Sequence, residues 1–308
     1  MPICSSLDRV FLEPGDVVDV VAPSSRCHPS VLENMKQLIE SWGLRCHIPE
    51  DLFGDSLLYA NSDEKRLQHL KQALLNPNSK AVWCLLGGFG ATKLLPELSK
   101  IEAPPFSKSF IGFSDITALH LFLTDRWGWS TIHGPSGYQA SLNRISMDSI
   151  QLLRSILCNK EFLLSYDQIT PLNVSAQESN QINASITGGN LHLIQASIGT
   201  SWQINPVDKI LFIEETNERA YRIDRTLEHL KQVGVFDRVR AVLFGDFIDK
   251  GEPDGRFLVQ NVIQEFACGC TFPVLQIKNI GHGQINNPLV FGRMACLKVG
   301  HHSSLSFL

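Results

Sequence analysis

Short apolar runs alternate with stretches of helical period through the first half of the chain, as expected for a parallel sheet covered by helices. Val17-Val18-Asp19-Val20-Val21-Ala22 reads as a strand that stops at Pro23-Ser24-Ser25, and Val31 to Trp42 spaces its apolar residues as a helix does. Leu44 to Ile48 is a short strand candidate, and Ser62-Asp63-Glu64-Lys65 has the composition of a cap opening a helix that runs to Leu75. Ala81 to Leu86 is an uninterrupted apolar run, hence a buried strand, closing on Gly87-Gly88-Phe89-Gly90. A helix from Ala91 to Leu98 follows, then the strand Phe110-Ile111, the corner Gly112-Phe113-Ser114-Asp115 and a helical pattern from Ile116 to Leu123. Val or Ile runs bounded by glycine at their C-terminal ends fit the rule that open α/β sheets bind ligands there.

Between Tyr166 and Ile182 the pattern lapses into Asn, Gln, Ser and Pro, which predicts a linker. Thr187-Gly188-Gly189-Asn190 then introduces a helix from Leu191 to Ile198. Ile210 to Ile213 is strand-like, Tyr221 to Val233 helical, Val239 to Phe244 a strand ending at Gly245-Asp246, and Leu258 to Phe266 a helix before several short strands. The pattern predicts an α/β protein: an N-terminal domain at 1–165, a linker at 166–183, and a smaller mixed α+β domain at 184–308.

A length of 308 residues suits two cores, and 44% hydrophobic with 19% charged residues is ordinary for a globular chain. A net charge of −4 gives no electrostatic grounds for binding nucleic acid or an anionic membrane. No apolar run approaches the roughly 20 residues needed to span a bilayer. Met1 to Arg9 lacks the basic-then-apolar order of a secretion signal, so a cytoplasmic protein is expected. The eight cysteines follow no framework spacing and read as reduced thiols. Cys268-Gly269-Cys270 has no second ligand pair at metal-binding spacing, and neither a metal nor a cofactor is expected.

Ser114 stands at a strand-to-helix corner, where an α/β enzyme displays a nucleophile and the free N–H groups of a helix start face a developing oxyanion. The Gly87–Gly90 run is either a helix-entry turn or a second source of oxyanion donors, the N–H of Gly88 joining that of Asp115. A phosphate loop is disfavoured, because neither a P-loop lysine nor a full Gly-x-Gly-x-x-Gly is present. Glu214 and Glu215 follow an apolar strand abruptly; one of them could orient an imidazole, or both could be a solvated strand end. Among ten histidines, His282 in a glycine-flanked loop is the first candidate base and His133 the second, while His301 and His302 look superficial.

Taken in order, several segments resemble the LD-carboxypeptidase family of serine peptidases, which also includes the microcin C self-immunity peptidases. They are Gly15-Asp16-Val17-Val18, Ala22-Pro23-Ser24-Ser25, Gly87-Gly88-Phe89-Gly90, Gly112-Phe113-Ser114-Asp115, His133-Gly134-Pro135, Thr187-Gly188-Gly189-Asn190-Leu191, Leu211-Phe212-Ile213-Glu214-Glu215, Tyr221-Arg222-Ile223-Asp224-Arg225 and Gly281-His282-Gly283. The resemblance implies a Rossmann-like first domain carrying Ser114 as nucleophile, with Glu214 and His282 supplied by the second domain as orienting carboxylate and base. It also implies an oxyanion hole from the N–H groups of Gly88 and Asp115, an active site straddling the two domains, and a homodimer. The implied substrate is a murein tetrapeptide losing its terminal D-alanine in cytosolic recycling, with an acyl-sulfamoyl adenylate as the alternative. Arg222 or Arg225 could bind the substrate carboxylate unless tied up in a structural ion pair, and His133 is a further substrate-binding candidate. Many members place an arginine directly before the paired glycines, where this chain has Leu86. A non-catalytic protein closing on a small ligand and a nucleotide-dependent enzyme are the readings from other classes.

Overall fold

The computed structural model describes residues 10–307, so Cys4 and the Met1–Arg9 stretch lie outside the described residues. The described residues form two compact units, one of residues 10–162 with 287–292 and the other of residues 163–286 with 293–307.

The first unit is built on six strands: β1 (Val17–Val21), β2 (Arg45–His47), β3 (Ser79–Cys84), β4 (Ser109–Gly112), β5 (Thr131–His133) and, from far along the chain, β11 (Leu289–Phe291). Their spatial order is β11-β5-β4-β3-β1-β2; all pairs are parallel except β11 with β5, which is antiparallel. The order reverses between β1 and β3, the switch point at which such sheets leave a crevice beyond their strand ends. The Ser24-Ser25 loop leaves β1 and the Gly87–Gly90 turn leaves β3, so the sequence has placed its glycines and small hydroxyls at that point. Covering helices include α1 (Val31–Ser41), which buries Val31, Met35 and Ile39 at one-turn spacing, and α2 (Asp63–Leu75), whose Lys65 N–H is capped by the Ser62 hydroxyl at 3.2 Å. The segment expected as one helix from Ala91 splits into a 3₁₀ turn, Ala91–Leu94, and the short α3 (Leu95–Leu98), with Pro96 at the start of the latter. After Ser114 comes α4 (Thr117–Trp127), buried without a break from Thr117 to Leu123 and ended by Gly128 in the left-handed conformation. Two further helices, α5 (Gly137–Ser141) and α6 (Met147–Cys158), complete the unit.

The second unit is a closed barrel. Its strands are β6 (Ser165–Pro171), β7 (Asn180–Asn190), β8 (Ile210–Glu218), β9 (Ala241–Asp249), β10 (Val274–Ile277), β12 (Met294–Val299) and β13 (Ser303–Phe307), in the order β10-β6-β13-β12-β7-β8-β9. Pairings are parallel from β7 through β8 and β9 to β10 and antiparallel elsewhere, which gives the mixed character expected. Helices α7 (Leu191–Ser197), α8 (Ala220–Gln232) and α9 (Val259–Cys268) are the connections that parallel strands require.

Where residues 166–183 were expected as a linker, the chain runs in strands β6 and β7 with a 3₁₀ turn at Val174–Ala176 between them. Its polar composition comes from alternation: Ile182, Ala184 and Ile186 are buried, while Gln181 and Asn183 are exposed and Ser185 sits half-buried. The Glu214-Glu215 pair likewise lies inside β8 rather than beyond it, and β9 continues past Phe244 to Asp249.

Candidate active site

In the first unit, the nucleophile candidate sits on a strained corner. Gly112 ends β4, Phe113 is extended, and Ser114 takes φ +64° before a 3₁₀ turn leads into α4. A left-handed conformation in a non-glycine residue costs about 1–3 kcal/mol and persists only where neighbours over-determine it. Those neighbours are close: a Cβ on Gly87 would stand 2.9 Å from Ser114 Cβ. Gly88 has φ +93°, and a Cβ there would stand 2.2 Å from Ser25 Oγ. The glycine turn is therefore pressed against the serine corner on one side and the Ser24-Ser25 loop on the other, and only hydrogen fits at both positions.

His133, fully buried on β5 in register with Gly112, packs its ring against Phe113, His120 and Phe291. His120 beside it is also fully buried and donates Nε2–H to the Gly112 carbonyl at 2.9 Å. Burial pushes its pKa down to about 4, against the bond to Gly112, so the ring is neutral and braces the strand end before the serine corner.

In the second unit, β8 presents Glu214, fully buried, with Oε2 2.6 Å from His282 Nδ1. An ionised carboxylate can only accept, so Nδ1 carries the hydrogen and the lone pair of neutral His282 lies on Nε2. Burial lowers the basicity of His282, but the Glu214 charge and hydrogen bond, aided by the Glu215 charge, more than offset it and raise its pKa. Glu215 is itself pushed up to about 7, by burial and then by the Glu214 charge, against bonds from the N–H of Thr216, the Asn190 amide and the N–H of His192. Those bonds measure 2.9, 2.8 and 3.0 Å. Asn190 also caps α7, accepting from Leu193 N–H at 3.3 Å, so Glu215 ties the end of β7 and the start of α7 to the strand bearing Glu214.

The loop carrying His282 is held by side chains outside the sequence reading. A register irregularity between β8 and β9 adds a residue at Gly245-Asp246, and bulges of this kind re-aim side chains. Asp246 Oδ1 accepts from Asn279 N–H at 3.1 Å, its own N–H donates to the Ile280 carbonyl at 2.8 Å, and Asn286 Oδ1 accepts from Gly281 N–H at 3.1 Å. An acidic residue directly after an apolar strand, in Gly245-Asp246, was the available signal, the same one that marked Glu214.

Arg222 and Arg225 both project from α8. Arg222 Nε is paired with Glu218 Oε2 at 2.6 Å, and the Arg225 guanidinium lies over the Tyr221 ring at 5.5 Å. Neither is paired with Glu214 or Glu215 among the described residues. No group of three His, Cys, Asp or Glu among the described residues could hold a metal ion, and no helix there is long and apolar enough to cross a membrane.

These two assemblies coincide with two conserved-domain models: LD-carboxypeptidase N-terminal domain matches residues 18–134, and LD-carboxypeptidase C-terminal domain matches residues 183–297. The chain belongs to the LD-carboxypeptidase family. A Rickettsia conorii protein named as a carboxypeptidase is 39% identical over 276 residues, covering 89% of this chain and 85% of its own length. The murein tetrapeptide carboxypeptidase of Pseudomonas aeruginosa is 28% identical over 298 residues, covering 95% and 96%. In fold, the LD-carboxypeptidase chain resembles the crystal structure of muramoyltetrapeptide carboxypeptidase from Oxalobacter formigenes, with TM-score 0.81, 22% identity and coverage of 94% and 98%. It resembles the microcin C7 self-immunity protein MccF equally, with TM-score 0.81, 20% identity and coverage of 99% and 98%. Family membership sets the reaction class: a serine-type peptidase, a hydrolase of peptide bonds.

Proposed function

We propose that this LD-carboxypeptidase releases the terminal D-alanine of murein tetrapeptides, in the cytoplasm and as a homodimer, during cell-wall recycling. The observation that carries the reading is the buried Glu214–His282 pair, whose geometry leaves Nε2 as a base and stabilises the imidazolium once formed. Ser114 Oγ attacks the carbonyl carbon of the bond between an L-configured centre and D-alanine, and its proton passes to His282 Nε2. The N–H groups of Gly88 and Asp115 receive the resulting oxyanion. Collapse of the tetrahedral adduct breaks the C–N bond, and the imidazolium returns the proton to the departing amine. Water then attacks the acyl-serine ester with His282 again as base, which regenerates the hydroxyl.

Substrate likeness supports murein peptides: relatives in Pseudomonas aeruginosa and Bacillus subtilis, each 28% identical, bear murein-peptide names. Purified enzyme with a D-alanine-terminated muropeptide provides the test. Ser114→Ala lowers turnover by on the order of 10⁶-fold; wild-type D-alanine release by that variant would overturn the assignment. MccF has been solved with aspartyl sulfamoyl adenosine, so the same assay run beside an acyl-sulfamoyl adenylate decides between the two substrate classes.

A further inference from the structure

The two oxyanion donors proposed above come from separate loops of the first unit, yet they must stay within hydrogen-bond reach of one oxygen atom. The Asp115 side chain has the geometry to enforce this. Its carboxylate is buried, and Oδ2 accepts both from the fully buried Ser24 hydroxyl at 2.6 Å and from Ala91 N–H at 2.8 Å. Ala91 directly follows the glycine turn and starts the 3₁₀ turn beyond it. One residue therefore supplies a main-chain donor at the serine corner and, through its side chain, grips the exit of the turn that bears the other donor.

The surroundings complete a three-loop lock. Ser25 N–H donates to the Gly87 carbonyl at 3.1 Å, and Phe89 N–H donates to Ser25 Oγ at 3.2 Å. The buried Arg66 guanidinium donates Nη1–H to the Gly90 carbonyl at 3.0 Å and also to the Pro23 carbonyl, and pairs with Asp63 at 2.5 Å. Burying a carboxylate and a guanidinium is costly unless they are bonded; here their bonds converge on the loops after β1 and β3 and the corner after β4.

We infer, resting on the oxyanion-hole reading above, that Asp115 is a positioning residue whose carboxylate fixes the Gly87–Gly90 turn relative to the Ser114 corner and so sets the spacing of the two donors. Its contribution falls in the transition state, where the oxyanion exists, rather than in ground-state binding.

The test compares Asp115→Ala with Asp115→Asn, measuring D-alanine release and amide hydrogen exchange at Ala91. Asp115→Ala lowers kcat about 100-fold with KM changed by less than about threefold, the pattern of a lost transition-state contact. Asp115→Asn recovers most of the loss, because an amide oxygen still accepts from Ser24 and Ala91. Exchange at Ala91 is faster in the alanine variant and stays protected in the asparagine variant. Ser24→Ala, which removes one strut and leaves the carboxylate, gives the same kcat-selective loss at smaller size and carries the test should Asp115→Ala not fold. Unchanged kcat in Asp115→Ala or, if it does not fold, in Ser24→Ala overturns the inference, as does a loss confined to KM or an asparagine variant as impaired as alanine. Activity surviving Ser114→Ala overturns the reaction assignment instead, while Ala91 exchange still reports whether the clamp exists.

Discussion

The serine corner and the His282–Glu214 pair are assembled by different physics. The corner is shaped by backbone: Ser114 is held left-handed, and two glycines leave no room for a methyl group against Ser114 and Ser25. The imidazole pair is shaped by charge: Glu214 lies against His282 at 2.6 Å, and its charge and hydrogen bond, with a smaller contribution from the Glu215 charge, outweigh the cost of burial. Activity should accordingly respond to added volume at the corner, and to removed charge and to pH at the pair.

The largest effect after loss of the nucleophile belongs to Glu214. Glu214→Gln keeps the shape but frees His282 to adopt the other tautomer, and kcat falls about 10⁴-fold. The sign of the pH effect also follows. A base must be neutral, so the raised pKa of His282 sets an acidic limb above the ordinary histidine range, and residual activity of Glu214→Gln persists to lower pH. A limb that stays in place would dissociate His282 from this carboxylate. Gly88→Ala comes next: the methyl meets Ser25 Oγ at a positive φ, and kcat/KM drops on the order of 100-fold with the acidic limb unmoved. Movement of that limb would break the distinction between the two regions.

Smaller effects arise from groups that titrate. Glu215 has a folded pKa raised to about 7 by burial and Glu214, so its protonated form stabilises the fold below about pH 4.5 and that contribution is lost as pH rises through 7. Glu215→Gln flattens urea-unfolding stability across that window and shifts the acidic limb of kcat/KM slightly downward. His120 runs the other way. Its pKa is lowered to about 4 by burial, so its contribution is complete above about pH 6.5 and is lost as pH falls through 4. His120→Gln, which keeps a donor for the Gly112 carbonyl, reduces the acid sensitivity of the urea midpoint between pH 6.5 and 4; equal sensitivity in both proteins would refute this role.

The corner was legible in the sequence because its determinants are local: an apolar strand, glycines and a helical period lie within a few residues of Ser114. Glu214 and His282 were visible as an acid inside an apolar context and a histidine between glycines, although their residue-level pairing came from family resemblance. Asn286, Arg66 and the Asp115–Ser24 bond were not legible, because no spacing in the sequence marks the loop that each holds, and Asp246 showed only as an acid after an apolar run. The barrel was missed for another reason. Strands such as Asn180–Asn190 alternate polar and apolar residues through Asn, Gln and Ser, and that composition resembles a loop unless the period of two is counted.

Strand β11 has a consequence for how the polypeptide can be made and cut. Residues 287–292 depart from the barrel after Asn286, pair with β5, and hand the chain back at Arg293. A ribosome must therefore synthesise the chain through Phe291 before the first sheet acquires strand β11, and until then the exposed β5 edge is open to mispairing. A gene split near residue 162 would separate the halves in sequence while leaving a piece of one embedded in the other.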